Sequence, residues 1–333
     1  MFPSEHYWRN PYVTWTSEIP AEWLLFVFHI RDSRIKAKVP AVVEILSVWR
    51  PFQPLASLSG PLADQRGVFW IALDPQFLSP ALNLLPRLGY SHAADLVVNV
   101  NKPDDTARFQ VQPEKNRIKW KNDFYHLLKV YQEDQECFRN QAPDRRTFWL
   151  ERANGDIQPV LGYRGDGKAL SRRGLPVEDA RLLVNLVSPD GLEKGETLFL
   201  DPFGGIGGVV IEAKKAGYQV LSLDIDPKIR MGLRNLGSCH QVGDASFLPF
   251  RNDAFQAIAT EPPYSMAALP MVHEALDEFY RILKVNGRLS VLVPFQQVES
   301  ILNHTNHLGL RLFLASRIDR KGTDVAILAW EKA

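Results

Sequence analysis

Cysteine is scarce in this chain of 333 residues, which contains only Cys137 and Cys239. Two cysteines so far apart in sequence predict neither a zinc site nor a disulfide framework, and they are typical of a reducing compartment. Long apolar runs are also missing. The longest one near the N-terminus covers residues 23–30 between Glu22 and Arg31, which is too short to span a bilayer. We therefore expect a soluble, cytoplasmic protein without a metal ion.

An excess of charge is missing as well, because the net charge is only +1. Only a local basic surface could therefore favour nucleic acid. Four cations alternate with other residues in a segment of strand-like spacing, so they would share one face: Lys115, Arg117, Lys119 and Lys121. This pattern is typical of a solvated edge strand and also of a phosphate-contacting stripe. Composition does not decide between the two.

The glycine-rich turn at residues 201–208 lacks the features of two common phosphate-binding loops. The dinucleotide fingerprint needs a glycine where Val210 stands, which disfavours NAD. A P-loop needs a lysine and a hydroxyl, and Gly207, Gly208 and Val209 supply neither. The next apolar strand ends in Asp224, where a carboxylate could accept ribose hydroxyls. A ligand without pyrophosphate, such as S-adenosylmethionine, suits this combination.

Beyond a predicted helix that Pro176 opens, strands and helices alternate along the chain. This alternation predicts a doubly wound, mostly parallel sheet with right-handed crossovers. The last two strands are joined by a short hairpin, so one strand at that edge should run antiparallel. The seven predicted strands are 197–202, 219–225, 239–243, 254–260, 287–294, 310–318 and 324–331. We predict an α/β domain over residues 166–333.

Residues 1–165 carry a different pattern, without a recognisable motif. Strand-like segments occur at residues 23–30, 67–73 and 93–100, and helical segments at 41–49 and 75–89. We predict an N-terminal α+β domain here, with RNA binding as its candidate role. The turn-rich segment 162–174 reads as the linker between the two domains.

Acidic residues close four successive strands of the predicted sheet: Asp201, Asp224, Asp244 and Glu261. An isolated acid in such a position is usually a turn or helix cap. Ligands of doubly wound sheets, however, lie outside the carboxyl ends of the strands. Four such acids therefore favour one shared functional site.

The most specific segment is Glu261, Pro262, Pro263 and Tyr264. Prolines supply carbonyl oxygens without N–H groups, and the acid adds another acceptor. Acceptors without donors suit an amino group, whose lone pair they would aim at a sulfonium methyl. Tyr264 would stack on an unstacked base. If the acceptor is an exocyclic base amine, this segment would therefore position it for methyl transfer.

These motifs together resemble the class I S-adenosylmethionine-dependent methyltransferases that modify exocyclic amines of nucleic acids. Within that class, the order and the residues of these motifs are similar to those of the tRNA guanosine-N2 methyltransferases, whose pattern is close to DPFCGTGG, DID, GDA and DPPYG. The resemblance covers roughly residues 170–333. It departs from the pattern at Gly204 and Ile206, at Glu261 in place of Asp or Asn, and at Ser265 in place of Gly.

The resemblance implies a Rossmann-like methyltransferase fold, S-adenosylmethionine as cofactor and tRNA or another RNA as partner. It implies that Glu261 to Tyr264 grip the target base, that Asp224 holds the ribose and that Asp244 meets the adenine amine. The expected cofactor-binding residues are Asp201, Phe203, Gly205, Gly207, Asp224, Asp244 and Ala245. Two alternatives stay open: a DNA adenine-N6 or other amino methyltransferase, and a catalytically silent RNA-binding module that kept the fold.

Overall fold

The structure is a computed structural model, and it describes residues 13–101, 107–110, 117–134, 147–151, 154–161, 174–189, 195–320 and 323–333. The chain divides into two compact units, one of Pro11–Asp134 and one that contains Gln135–Ala333. The predicted domain boundary between residues 165 and 166 lies outside the described residues. Within those residues, no helix is long and apolar enough to cross a membrane.

The unit Pro11–Asp134 is built on a seven-stranded sheet with the order β1-β3-β4-β2-β5-β7-β6. Its strands are β1 (Trp15–Thr16), β2 (Leu24–Ile30), β3 (Leu55–Ser57), β4 (Val68–Leu73), β5 (Ser91–Asn99), β6 (Arg117–Trp120) and β7 (Asp123–Gln132). Two helices accompany them, α1 (Lys38–Val48) and α2 (Leu78–Leu82). All strand pairs are antiparallel except β1 with β3.

The helix predicted over residues 75–89 is wrong for most of that range. α2 is flanked by two single 3-10 turns, Pro75–Phe77 and Leu85–Arg87. Pro86 has no N–H group with which to continue a helix, and it disfavours helical geometry at the residue before it. The apolar periodicity of this segment therefore extends over more residues than the α-helix does.

The predicted cationic stripe is only partly regular. Arg117 and Lys119 are exposed on β6, whereas Ile118 and Trp120 are half-buried. Lys121 does not continue the alternation, because it lies in the turn before β7 with a φ of 52°. Lys115 lies outside the described residues.

The second unit contains a hairpin, β8 (Thr147–Glu151) with β9 (Ile157–Leu161), and a second seven-stranded sheet. The strands of that sheet are β10 (Leu198–Asp201), β11 (Gln219–Asp224), β12 (Cys239–Val242), β13 (Phe255–Thr260), β14 (Leu283–Pro294), β15 (Leu310–Arg320) and β16 (Thr323–Lys332). Its helices are α3 (Val177–Leu186), α4 (Gly208–Lys215), α5 (Arg230–Asn235), α6 (Leu269–Ile282) and α7 (Val298–His307).

The strand order of this sheet is β12-β11-β10-β13-β14-β16-β15. The four pairs from β12 to β14 are parallel, and β16 is antiparallel to both of its neighbours. The predicted seven-stranded, doubly wound sheet is thus confirmed. The reversed strand, β16, lies one place in from the edge, because β15 passes beyond it before the chain turns back.

β10 lies where the strand order reverses, between β11 and β13. Its neighbours run in the same direction, so the carboxyl ends of these strands meet at one edge of the sheet. Doubly wound sheets bind their ligands outside the carboxyl ends at such a switch point. The core beneath this edge is apolar, with Leu200, Leu223 and Ile258 among its buried residues.

The spacing of His304 and His307 predicts a surface pair on one helix, but the structure gives His304 other partners. His304 binds Asp277 at 2.7 Å, and its ring stacks on His273 with centroids 4.4 Å apart. Both partners lie on α6, so this contact joins α7 to α6. The histidine therefore has a packing role between two helices.

Candidate active site

The glycine turn connects β10 to α4. Gly204 donates its N–H to the carbonyl of Leu223 at 2.8 Å, and Gly207 donates to Gly204 at 2.8 Å. Gly205 and Gly207 have φ angles of 48° and 88°, which L side chains rarely adopt. A Cβ on Gly207 would also lie 2.3 Å from Leu236 Cδ1. The backbone therefore needs glycine at both positions, and the first N–H groups of α4, which have no partner within the helix, follow directly after the turn.

Asp224 closes β11 and holds this turn. Its Oδ2 accepts the N–H of Gly205 at 2.9 Å, and its Oδ1 accepts the N–H of Asp226 at 2.9 Å. Both carboxylate oxygens therefore act as acceptors at this strand end. A single side chain thus fixes both loops at this strand end, and its assignment to the ribose stays a prediction.

Asp201 closes β10 and is almost completely buried, with 1% of its surface exposed. Burial raises the pKa of Asp201 to about 7, and hydrogen bonds from Thr260 and Phe203 oppose that rise. The Thr260 hydroxyl donates to Oδ1 at 2.7 Å. The charges of Asp224 and Glu261 raise the pKa further. These three acids therefore lie in one electrostatic neighbourhood, and Asp201 is more deeply buried than Asp224.

The predicted residues after β12 divide into one accessible and one buried side chain. Asp244 is exposed, and its Oδ1 accepts both the N–H and the hydroxyl of Ser246 at 2.9 and 2.8 Å. No described residue donates to its other oxygen, which suits an incoming amine. Ala245 packs into the apolar core, so only its backbone can meet a cofactor. Phe203 likewise packs its ring against Phe279, with centroids 6.2 Å apart.

Two exposed apolar side chains at these strand ends escaped the sequence analysis. Ile225 is 67% exposed directly after Asp224, and Phe247 is 85% exposed three residues after Asp244. Large apolar groups left in water next to polar acceptors are typical of ligand sites. The sequence carried a signal for both residues, because Ile225 and Phe247 each follow an acid that was already a candidate site residue.

Glu261 and Tyr264 form a network with a residue from the other end of the domain. The Tyr264 hydroxyl donates to Glu261 Oε1, and Arg320 Nη1 donates to the same oxygen at 3.0 Å. Arg320 also contacts the Tyr264 hydroxyl at 3.1 Å, and its Nε lies 3.8 Å from Asp179 Oδ2. Burial raises the pKa of Glu261, whereas the Arg320 guanidinium lowers it. Sequence analysis named neither Arg320 nor Asp179 as a site residue.

The carbonyl groups of this loop are not equally free. Gln297 Nε2 donates to the carbonyls of Pro263 and Ser265 at 3.2 and 3.0 Å. Among the described residues, nothing donates to the Pro262 carbonyl or to Glu261 Oε2. The loop therefore keeps two acceptors for a ligand, while Gln297, buried in the 3-10 turn that follows β14, fixes the carbonyls of Pro263 and Ser265.

This arrangement fits the expected cofactor. The start of α4 and the carboxylates of Asp224 and Asp244 follow successive strands at one edge of the sheet. Ile225 and Phe247 add exposed apolar surface there. A purely anionic ligand would be repelled by these acids, whereas a cationic sulfonium tolerates them. The described part of the chain contains no group of three potential metal ligands.

Comparison with known proteins finds a methyltransferase domain in this unit. Residues 200–291 match the family model of the methyltransferase domain. The tRNA (guanine(10)-N2)-dimethyltransferase of Pyrococcus abyssi is 35% identical over 227 residues, which cover 62% of this chain and 56% of that protein. The enzyme of the same name from Methanothermobacter thermautotrophicus is 31% identical over 207 residues, 57% of this chain and 53% of that protein.

The chain carries an S-adenosylmethionine-dependent methyltransferase domain. It resembles the tRNA guanosine-N2 methyltransferases, as the motifs predicted, and S-adenosylmethionine is its cofactor. The chain spans about half the length of the curated relatives that it matches. Among solved structures, a TehB-like S-adenosylmethionine-dependent methyltransferase from Corynebacterium glutamicum is 20% identical, with a TM-score of 0.39 over 50% of this chain and 92% of that one.

Proposed function

We propose that this protein transfers a methyl group from S-adenosylmethionine to the exocyclic N2 of guanosine in tRNA. The observation that carries the proposal is the pair of open acceptors, Glu261 Oε2 and the Pro262 carbonyl, at the end of β13. β13 is the direct neighbour of β10, whose end carries the glycine turn. The acceptor amine would therefore be held beside the cofactor.

The catalytic contribution of these residues is positioning. When bound, S-adenosylmethionine supplies an electrophilic methyl carbon. Glu261 and Pro262 accept the N–H bonds of the amine and thereby direct its lone pair toward that carbon. Holding two reactants in the reactive geometry can account for several kcal/mol of the barrier. The amine can begin the step with its own lone pair, and Glu261 Oε2 would take up the proton that the nitrogen must lose once it carries the methyl group.

Glu261 supports guanine over adenine as the base. The Watson–Crick edge of guanine presents two adjacent donors, the N1–H and the N2 amine, and the two lone pairs of Glu261 Oε2 can accept both. Adenine presents an acceptor at N1 beside its amine, which an ionised carboxylate would repel. The carboxylate of Glu261 thus favours a base edge that presents donors.

Tyr264 supports a base that has left its helix or loop. Its ring is half-buried, and its hydroxyl is tied to Glu261 and Arg320. A ring fixed by its hydroxyl has little rotamer freedom left to lose when a base stacks on its face. Stacking of this kind contributes about 1 to 3 kcal/mol per base.

RNA as the partner is supported from two directions. The relatives from Pyrococcus abyssi and Methanothermobacter thermautotrophicus are named for tRNA. In the unit Pro11–Asp134, Arg117 and Lys119 pair across the strands with His126 and Phe124, so the four side chains share one face at the sheet edge. Cations with an exposed aromatic ring are suited to phosphates and unpaired bases.

The decisive experiment measures methyl transfer from labelled S-adenosylmethionine to unmodified tRNA, followed by nucleoside identification. Duplex DNA and a reaction without acceptor are run in parallel, and Glu261→Gln serves as the site variant. We expect N2-methylated guanosine from tRNA, no label in DNA and a strongly reduced rate in the variant. Label in DNA adenine, or cofactor binding without transfer to any acceptor, would contradict the proposal.

A further inference from the structure

Four side chains from three separated segments meet at the end of β13. Asp179 lies in the first turn of α3, and Glu261 and Tyr264 lie in the loop after β13. Arg320 is the last residue of β15. Asp179 is completely buried, and the side chains of Arg320 and Glu261 are 15% and 20% exposed. Surface ion pairs contribute little, but a pair that is mostly removed from water must be closely matched.

We propose that Arg320 is a positioning residue for the methyl acceptor: it fixes the Glu261 carboxylate through Oε1 and thereby leaves Oε2 for the amine. This inference builds on the proposed function. Arg320 acts through Glu261 and need not touch the acceptor.

The geometry of the guanidinium explains why arginine suits this role. Nη1 of Arg320 reaches Glu261 Oε1 at 3.0 Å and the Tyr264 hydroxyl at 3.1 Å, while Nε points toward Asp179. The planar guanidinium of Arg320 contacts all three partners at once. A lysine ammonium on a flexible side chain does not reproduce this geometry. The hydrogen bonds determine the rotamer of Glu261 and the direction of its second oxygen.

The backbone that carries Arg320 is itself fixed. Arg320 pairs with Thr323 at the end of the antiparallel ladder between β15 and β16. β16 in turn pairs along its length with β14, which adjoins β13. A functional group mounted on a strand is held more closely than one on a loop. The β15–β16 hairpin therefore completes the acceptor side of the site.

Arg320 also controls the charge of Glu261. Desolvation raises the pKa of Glu261, and Arg320 is the first of the groups that lower it. The other groups that face this carboxylate are Tyr264, Asp179 and Asp201. Without Arg320, three acidic or neutral neighbours would remain, and the pKa of Glu261 would rise further. A protonated Glu261 loses the charge that strengthens its hydrogen bond to the amine.

The first test is a double-mutant cycle on protein stability, measured without acceptor. Arg320→Gln, Glu261→Gln and the double variant are unfolded at pH 5.5 and pH 8. A raised folded-state pKa gives stability that is present at low pH and lost as the pH rises. We therefore expect Arg320→Gln to lower the unfolding midpoint by several degrees more at pH 8 than at pH 5.5. Glu261→Gln should remove most of that difference; the part that it leaves reports on Asp179.

The second test measures methyl transfer to tRNA at saturating cofactor. We expect Arg320→Gln to lower kcat about 100-fold, with cofactor affinity within twofold of wild type, and to shift the acidic limb of the rate profile upward. Arg320→Lys keeps the positive charge but not the planar guanidinium. This variant should therefore recover the wild-type pH profile and only part of the wild-type rate. Arg317→Gln is the matched control, because Arg317 lies on the same strand and pairs with the exposed Asp324.

The outcomes separate this inference from the proposed function. If wild-type protein methylates no tRNA, the proposed function fails, and the stability cycle still decides whether Arg320 controls Glu261. If Arg320→Gln costs the same stability in the wild-type background as in the Glu261→Gln background, the inference is overturned even if tRNA is methylated. A parallel loss of cofactor affinity, or an effect of Arg317→Gln as large as that of Arg320→Gln, would also overturn it.

Discussion

Asp224 accepts the backbone N–H of Gly205 at 2.9 Å across 19 residues of sequence. This hydrogen bond joins the glycine turn after β10 to the end of β11. The acid is therefore a structural member of the cofactor turn as well as a candidate ribose acceptor. Its two roles depend on the same oxygens, so even a conservative substitution should affect both.

Asp224→Asn should weaken S-adenosylmethionine binding at least 10-fold. Both carboxylate oxygens accept a backbone N–H, and an amide can accept on one side only. The loss of a charge-assisted acceptor costs about 1.5 to 3 kcal/mol. Calorimetry with S-adenosylmethionine measures the change. Asp253→Asn is the control, because that carboxylate is 58% exposed and pairs with Lys332. Unchanged affinity in Asp224→Asn would rule out the assigned ribose contact.

Asp201→Asn should make stability less dependent on pH. The pKa of Asp201 is raised to about 7, so the folded protein holds this proton more tightly than the unfolded chain does. The associated stability is present in acid and is lost as the pH rises toward 7. Wild type should lose about 2 to 3 kcal/mol between pH 5 and pH 8 that the variant retains.

Chemical unfolding at several pH values measures this difference. Thr260→Val provides the opposite comparison, because it removes a hydrogen bond that favours the ionised form of Asp201. Its stability should fall over a wider pH range than that of wild type. A slope in Asp201→Asn identical to that of wild type would mean that another group titrates.

Much of this site could be predicted from the sequence, because its parts are local. The glycine turn, the acids at the strand ends and the loop Glu261 to Tyr264 each follow an apolar run of strand length, and parallel strands bring their carboxyl ends together. The assignment of Asp201, Phe203, Gly205, Gly207, Asp224, Asp244 and Ala245 to the cofactor stays a prediction.

The rest could not be predicted, because it depends on contacts distant in sequence. Arg320 meets Glu261 across 59 residues, and Gln297 meets Pro263 across 34. Neither side chain lies in a motif, and hairpin register decides which arginine of β15 reaches the site. Burial could not be predicted from the sequence either. Ala245 follows the candidate acid Asp244 directly, yet its side chain belongs to the apolar core.

Gln297→Glu should lower the rate of methyl transfer about 10-fold or more while sparing the cofactor. Gln297 donates to two loop carbonyls, and an ionised carboxylate there would repel both. Gln296→Glu is the comparison, because Gln296 is exposed and makes one longer contact, to the Tyr264 carbonyl at 3.4 Å. Single-turnover rates and cofactor affinity of both variants give the answer. Equal rates in the two variants would show that Gln297 does not hold the loop.

Replacing Arg117 and Lys119 together with Gln should weaken tRNA binding by the unit Pro11–Asp134. The two cations share an exposed face with Phe124, and the Arg117 guanidinium lies 4.8 Å from the centre of that ring. Each phosphate contact that is lost should reduce the slope of log affinity against log salt by about 0.7 to 0.9. The double variant should therefore lose between about one and two units of slope.

Binding of unmodified tRNA by the full chain at several salt concentrations measures that slope. Lys36→Gln with Arg66→Gln is the matched control, because it removes two exposed cations from the same unit without touching β6. A slope in Arg117→Gln with Lys119→Gln that equals the control would assign these cations to the protection of a sheet edge, since lysines and arginines at an edge also prevent strand pairing between molecules. A selective loss of slope would instead place this face on the path of the RNA backbone.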